Sequence, residues 1–302
     1  MTFTTLKARI AGETGLDTTT DDTLLGAWAN TAYKSILGSF RWPWLLKNSI
    51  IQTVTDITTG TVSVNAGATA GTFSSGPAVS VANQYMIQFP TVSDDWYLIS
   101  AHIAAGTSFT LANAFVGTTN LSGGTYICRK VYYSFPSDCD GIIGLRQAIS
   151  DIDLTPVDIR TFDRYLPDPT ATADPLIFAL AGFDTSKNWQ MTLYPIPDSV
   201  MNLQLRYYYM PSDMSSGSDT PVLPEKFHDT IVFLALYNYG HPYIDDDRVK
   251  IAKARYDDMM KDMKNNYNPL PEQMNVIQTW DSRPRRRTGN LMWPSNFPEY
   301  WR

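Results

Sequence analysis

The side chains best suited to chemistry cluster near the C-terminal end. Trp280, Trp293, Phe297 and Trp301 stand around the run Arg283-Pro284-Arg285-Arg286-Arg287. Aromatic rings and guanidinium groups anchor protein interfaces, through buried area and forked hydrogen bonds to carboxylates. They occupy 269–302, where Pro269, Pro271, Pro284, Pro294 and Pro298 break helices and remove ladder donors. No helical or strand period survives there. The segment therefore reads as an extended C-terminal arm. Its expected partner-binding residues are Trp280, Arg285, Arg286, Arg287, Trp293, Phe297 and Trp301, gripping another protein or a neighbouring copy. The competing reading wraps the arm over its own body.

Catalytic and metal chemistry find little support. His102, His228 and His241 are far apart, and no Cys/His spacing suits zinc. His228, beside Asp229 in a predicted helix, reads as a core or surface histidine. Asp245-Asp246-Asp247 suits a helix start better than a calcium loop. No phosphate-cradling glycine loop, dinucleotide fingerprint or Gly-x-Ser-x-Gly elbow occurs. Ser186-Lys187 reads as a loop pair. Asp151 and Asp153 are carboxylates of the kind a glycosidase uses, but nothing in sequence sets two across a sugar. The chain is thus expected to have no catalytic residues, no cofactor and no metal.

Composition narrows the partners. The chain has 302 residues, 43% hydrophobic and 18% charged, enough for a buried core and two ordinary domains. Its formal net charge is −6; the tail's five arginines outnumber Glu272, Asp281 and Glu299 by two, so the body carries −8. An acidic body disfavours tight nucleic-acid binding, which draws its affinity from counterion release. The longest apolar run, 231–236, is far too short to span a membrane. Residues 1–15 lack the order of a secretory signal. Cys128 and Cys139 read as free thiols of a protein made in a reducing cytoplasm.

The elements that must position these residues divide the chain. Leu6, Ile10 and Ala11 share a helical face, closed by Gly15. Leu24, Leu25, Trp28, Ala32, Ile36 and Phe40 mark a second helix, ending near Arg41-Trp42-Pro43-Trp44. Between 50 and 130 the chain is rich in Thr, Ser, Gly and Val. Alternating runs at 61–64, 78–81, 85–89, 96–100, 109–111 and 126–129 predict a small antiparallel β-sandwich or barrel. Further strands are predicted at 131–135, 142–145, 176–180, 190–194 and 203–209, with a short helix at 156–165. In Tyr207-Tyr208-Tyr209, alternation sends one tyrosine to the core and leaves two at a rim. Residues 224–239 form an apolar, central helix. The next helix presents Val249, Ala252, Tyr256, Met259 and Met263 as a seam for one neighbour. The predicted fold is α+β: a helical-bundle frame (1–49 and 131–268), an inserted antiparallel β-sandwich or barrel (50–130), a second small β region and the extended arm (269–302).

Several of these segments, in order, resemble the head-to-tail adaptor proteins of short-tailed bacteriophages, the tail-tubular or connector-like family. They are Leu205-Arg206-Tyr207-Tyr208-Tyr209-Met210-Pro211, a polar loop with Asp219-Thr220-Pro221, and Leu223-Pro224-Glu225-Lys226-Phe227-His228-Asp229-Thr230-Ile231-Val232 with Ala235-Leu236. The first long helix running into Arg41-Trp42-Pro43-Trp44-Leu45 is similar too. So is a Gly/Ser/Thr-rich insertion that ends in a tyrosine strand and Phe135-Pro136-Ser137-Asp138. The likeness covers most of 1–267 and leaves the tail unmatched. The resemblance implies a virion structural protein at the head–tail interface. Copies would form a ring, typically dodecameric, that binds the portal protein and extends the channel through which viral DNA passes without specific binding. Tail nozzle or tail-fibre proteins would dock on it. Wall-hydrolysing or glycan-binding activity, discussed for some relatives, is the alternative, with no residue here to carry it.

Overall fold

The computed structural model describes residues 1–149, 152–165 and 171–267. The chain opens with α1 (Phe3–Thr14). Thr2 caps it by accepting from the Thr5 amide at 3.3 Å, and Gly15, at φ 74°, closes it in the left-handed region. Next comes α2 (Asp22–Gly38), then a 3-10 turn (Pro43–Leu45), where the Pro43 ring cannot continue the helix. Late in the chain a 3-10 turn (Glu225–Phe227) leads into α4 (Asp229–Tyr239), followed by α5 (Asp246–Tyr267), with Asp246 and Asp247 at its positive dipole end. A short α3 (Ile159–Tyr165) lies between these groups. Leu6, Ile10, Leu25, Ile36, Phe227, Ile231, Leu234, Ala235 and Met263 share one core, so the early and late helices pack together. The α5 seam holds Ala252 and Met263 as predicted, with Met260 buried beside them.

Strands make up most of the remaining elements. β1 (Leu46–Gln52), β14 (Asn202–Tyr209) and β10 (Cys139–Gln147) form an antiparallel three-stranded sheet with β14 in the middle. β11 (Thr155–Val157), β12 (Ile177–Phe183), β13 (Trp189–Tyr194) and β9 (Tyr132–Ser134) form a second sheet in that order, with β11 parallel to β12. Tyr133, Phe135, Leu145, Phe178, Met191, Leu203, Leu205 and Tyr207 make the core that these two sheets share.

The third sheet has seven strands, all drawn from residues 62–130. Its order is β7 (Leu121–Gly124), β2 (Val62–Val64), β3 (Ala70–Phe73), β6 (Ser108–Leu111), β5 (Ser93–His102), β4 (Tyr85–Phe89) and β8 (Ile127–Lys130). Its two edge strands, β7 and β8, are joined by Thr125 and Tyr126 alone. So short a link reaches roughly 11 Å, so the sheet must curl until its edges meet. The curl wraps one core of Val62, Val64, Phe73, Tyr85, Ile87, Phe89, Ile99, Phe109, Phe115 and Tyr126.

The α+β class stands, but a helical-bundle frame does not describe the molecule. The segments 1–49 and 131–268 contribute β1 and β9 to β14 as well as helices. The backbone groups of 46–52 find their partners on β14, which ties the first helices into a sheet. The insertion is one curled sheet rather than two stacked ones. No strand forms at 78–81: the Val81 amide donates to His102 Nδ1 at 3.3 Å, Ser80 Oγ donates to the His102 carbonyl at 2.9 Å, and the Ala105 amide reaches Pro77. That loop is spent on capping the β5–β6 turn.

Candidate interaction surface

The seven arm residues expected to bind a partner, Trp280, Arg285, Arg286, Arg287, Trp293, Phe297 and Trp301, lie outside the described residues. The body shows where the arm departs. Tyr267, the last residue of α5, meets Trp44 edge-on at 4.9 Å between ring centroids. Trp44 stacks on Trp42 at 4.8 Å, and Trp42 meets Phe40 at the same separation. Fully buried Trp42 fixes the cluster by donating from Nε1 to the Ile36 carbonyl at 2.9 Å. Lys226 lies over the Tyr267 ring at 5.4 Å. Arg41-Trp42-Pro43-Trp44 thus forms the aromatic root of the arm.

The tyrosine strand runs next to this root. Tyr207 is buried and Tyr208 and Tyr209 are half-buried, so one tyrosine enters the core and two stay at the rim. The Tyr207 hydroxyl donates to Asp138 Oδ1 at 2.9 Å, and Lys47 Nζ binds Oδ2 at 2.6 Å. Burial pushes the Asp138 carboxyl upward, but the bonds from Lys47 and Tyr207 outweigh it and hold the group below its usual range. Burial first, and then the bond to Asp138, raise the Tyr207 phenol. Donating to the Asp138 carboxylate raises the pKa of the Lys47 ammonium. Arg41 lies over Tyr208 at 5.2 Å and Lys47 over Tyr209 at 5.1 Å. These groups are locked to one another and are built to hold shape. The Phe135-Pro136-Ser137-Asp138 stretch, the tyrosine triplet and the Trp motif converge here from three distant parts of the chain.

A groove of about 1090 Å³ opens over the outward face of the three-stranded sheet, walled by β11, β12 and the start of α3. Asn48, Ile50, Gln204, Arg206 and Arg146 belong to its floor, and Arg146 Nε donates to Gln204 Oε1 at 3.0 Å. Ile50 is 61% exposed and Leu46, on the same face of β1, 46%. Large apolar groups at such exposure, on a face that also presents Arg206, suit contact with protein better than bulk water. Sequence reasoning missed β1 and hence this face. The signal was faint: Leu46, Asn48 and Ile50 alternate with polar neighbours, but only two of the three are apolar.

His228, His102 and the two cysteines sit in hydrogen-bonded, buried or half-buried surroundings. His228 Nε2 donates to the Leu223 carbonyl at 2.8 Å and Nδ1 receives the Met1 amino group at 2.6 Å, with burial lowering its basicity. His102 accepts from Val81 and contacts the Gly106 carbonyl at 2.9 Å. Burial raises the Cys128 thiol to about 12 and the Cys139 thiol to about 11, which disfavours thiolate chemistry. Among the described residues, no group of three or more His, Cys, Asp or Glu could hold a metal ion. Asp153 lies at the groove, while Asp151 is outside the described residues. No described helix is long and apolar enough to cross a membrane.

Residues 101–287 match the SU10 adaptor protein family, more than half of the chain. The chain belongs to that family. It is a phage adaptor protein, a structural component of the virion that contacts other head or tail proteins. No curated protein matches it. The family match begins in β5, takes in the tyrosine strand, the groove floor from β10 and β14, and α4 and α5. It continues past Tyr267 through Trp280 and Arg285, Arg286 and Arg287. The proximal arm, which the sequence resemblance left unmatched, is therefore part of the family pattern.

Proposed function

We propose that this adaptor is the head-to-tail connector of a short-tailed phage. Copies assemble into a ring, dodecameric in our reading, that joins portal to tail nozzle or tail fibres and extends the DNA channel. Membership of the adaptor family carries the reading. The chemistry of the chain supports it. A body of net charge −8 would repel DNA passing through a lumen rather than hold it. Identical chains that pack head to tail close into rings through unlike surfaces, and the exposed groove face and the aromatic arm are two unlike surfaces. In this reading Trp280, Trp293, Phe297 and Trp301 seat in pockets on portal or on the next subunit, while Arg285, Arg286 and Arg287 pair with acidic groups. Residues 50–130 act as an inserted β domain that meets a further tail component. The chain itself catalyses nothing.

Negative-stain imaging of the protein mixed with the portal of the same phage tests the ring. Rings stacked on portal are expected; a monomer that ignores portal sinks the proposal. Removal of 269–302 should leave a folded body that no longer co-sediments with portal. Unchanged co-sedimentation would remove the arm from the clamp.

A further inference from the structure

The outer edge of β1 is an open pairing site at the root of the arm. β1 pairs with β14 on one side, and among the described residues no strand pairs with the other. Its burial pattern is exposed or half-exposed at every position but Ile51. A seven-residue edge strand with Leu46 and Ile50 uncovered is a liability that natural proteins rarely leave bare, because its free amides and carbonyls recruit other chains. No proline interrupts it and no bulge interrupts its pairing with β14.

The sequence beyond Tyr267 offers a candidate for that edge. Tyr267 touches Trp44, and Trp44 stands just ahead of Leu46, so the backbone leaves α5 at the head of β1. Pro269 and Pro271 follow, and Pro284 comes later. Between them lies Gln273-Met274-Asn275-Val276-Ile277-Gln278-Thr279-Trp280, free of proline, glycine and charge. Val, Ile, Thr and Trp are strand formers. In a strand, alternation would put Met274, Val276 and Trp280 on one face and Asn275, Ile277 and Thr279 on the other. The linker 268–272 reaches roughly 20 Å when extended, enough to enter alongside β1 from its first residue. The family match runs through this segment and ends at 287.

We infer that residues 273–279 add to the outer edge of β1 of the same chain as a parallel fourth strand. The Met274 and Val276 face would then continue the apolar row of Leu46 and Ile50. Pairing by backbone bonds also fixes the exit direction of the more distal arm. Trp293, Phe297 and Trp301 would project from a rigid base, which lowers the ordering entropy that partner binding must overcome. The inference concerns the isolated protein and needs no portal, so it stands or falls apart from the connector reading.

Hydrogen exchange on the full-length protein tests it. The β1 amides of 47–52 that do not donate to β14 should exchange about tenfold or more slowly than in the full-length Val276→Pro/Gln278→Pro variant, whose added strand has lost two donors. A proline placed at Asn290 serves as control and should leave β1 protected. Equal exchange in wild type and the double variant overturns the inference. Protection that appears only as protein concentration rises also overturns it, because the strand would then come from a second copy.

Discussion

The helical cluster and the curled sheet bury comparable sets of large side chains under opposite surface conditions. The cluster is rimmed by ion pairs: Lys7 with Asp22, Arg9 with Asp229 and Lys34 with Asp213. In the curled sheet, from Ile57 to Cys128, Asp94 and Asp95 are the only carboxylates and no Lys or Arg occurs; its basic residues, Arg129 and Lys130, close β8, where Arg129 pairs with Asp56. Its order comes from rings: Phe73 lies 4.5 Å from Phe109 and 5.1 Å from Tyr126, and Phe115 meets both Phe89 and Tyr97. The difference teaches that one region spreads its ion pairs around a rim, while the other holds one pair at the end of β8 and relies elsewhere on packing.

The sharpest test removes a ring. Phe109 is buried and lies so close to Gly71 that a Cβ there would fall 2.3 Å from the ring. Phe109→Ala should cost about 3–5 kcal/mol of stability in the curled sheet. Denaturant unfolding followed at Trp96, with the other seven tryptophans replaced by phenylalanine, should shift strongly. Followed in a Trp96→Phe background, the cluster signal should move little. If both signals move together, the two regions unfold as one and the comparison breaks.

Acid should separate the regions in the other direction. Desolvation lowers the His228 pKa from its ordinary 6.5, so the folded chain binds fewer protons there than the unfolded chain. That contribution to stability is constant above about pH 6.5 and falls as pH drops below it, levelling once the folded-state pKa is passed. Unfolding free energies at about pH 7.5 and about pH 5.5 should show this loss, and His228→Gln should reduce it. An equal slope in the variant would assign the acid response elsewhere. The smallest effect belongs to the half-exposed pair of Lys34 and Asp213, 2.8 Å apart. Lys34→Ala should cost less than about 1 kcal/mol, and added salt should shrink the difference from wild type.

Much of this order was legible in the residues. The helices over 3–14 and 22–38 follow from apolar spacing closed by Gly15 and stopped by Pro43, and the central helix after Pro224 from its all-round apolar face. Strands with β-branched or aromatic alternation, such as 85–89 and 203–209, were equally plain. Four strands escaped, one of them the short Thr155–Val157, which pairs with β12 at the start of the stretch 156–165 that reads as a helix. Ala70–Phe73 is a strand because Phe109 packs over Gly71, a contact made across the sheet. Leu121–Gly124 carries two glycines and pairs only because the sheet curls back to it. Leu46–Gln52 has weak alternation and is ordered by β14, which lies some 150 residues later. The groove face was invisible for the same reason, since its floor is made only when β1 and β14 pair. Family kinship was readable from the tyrosine strand and the Leu223-Pro224 helix start, because both carry local chemistry.

Where the curled sheet joins the rest of the chain, Ile57 and Cys128 exchange both backbone hydrogen bonds, at 2.8 and 2.9 Å. Entry and exit therefore share a closed neck. Tension drawn along the backbone from β1 to β9 passes through the Asp56–Arg129 ion pair and those two bonds and leaves the strands beyond them slack. Only when the neck parts would the sheet begin to unreel, releasing contour length on the order of 200 Å. In the connector role proposed above, each chain would thereby carry a mechanical fuse, one that lengthens before it lets go.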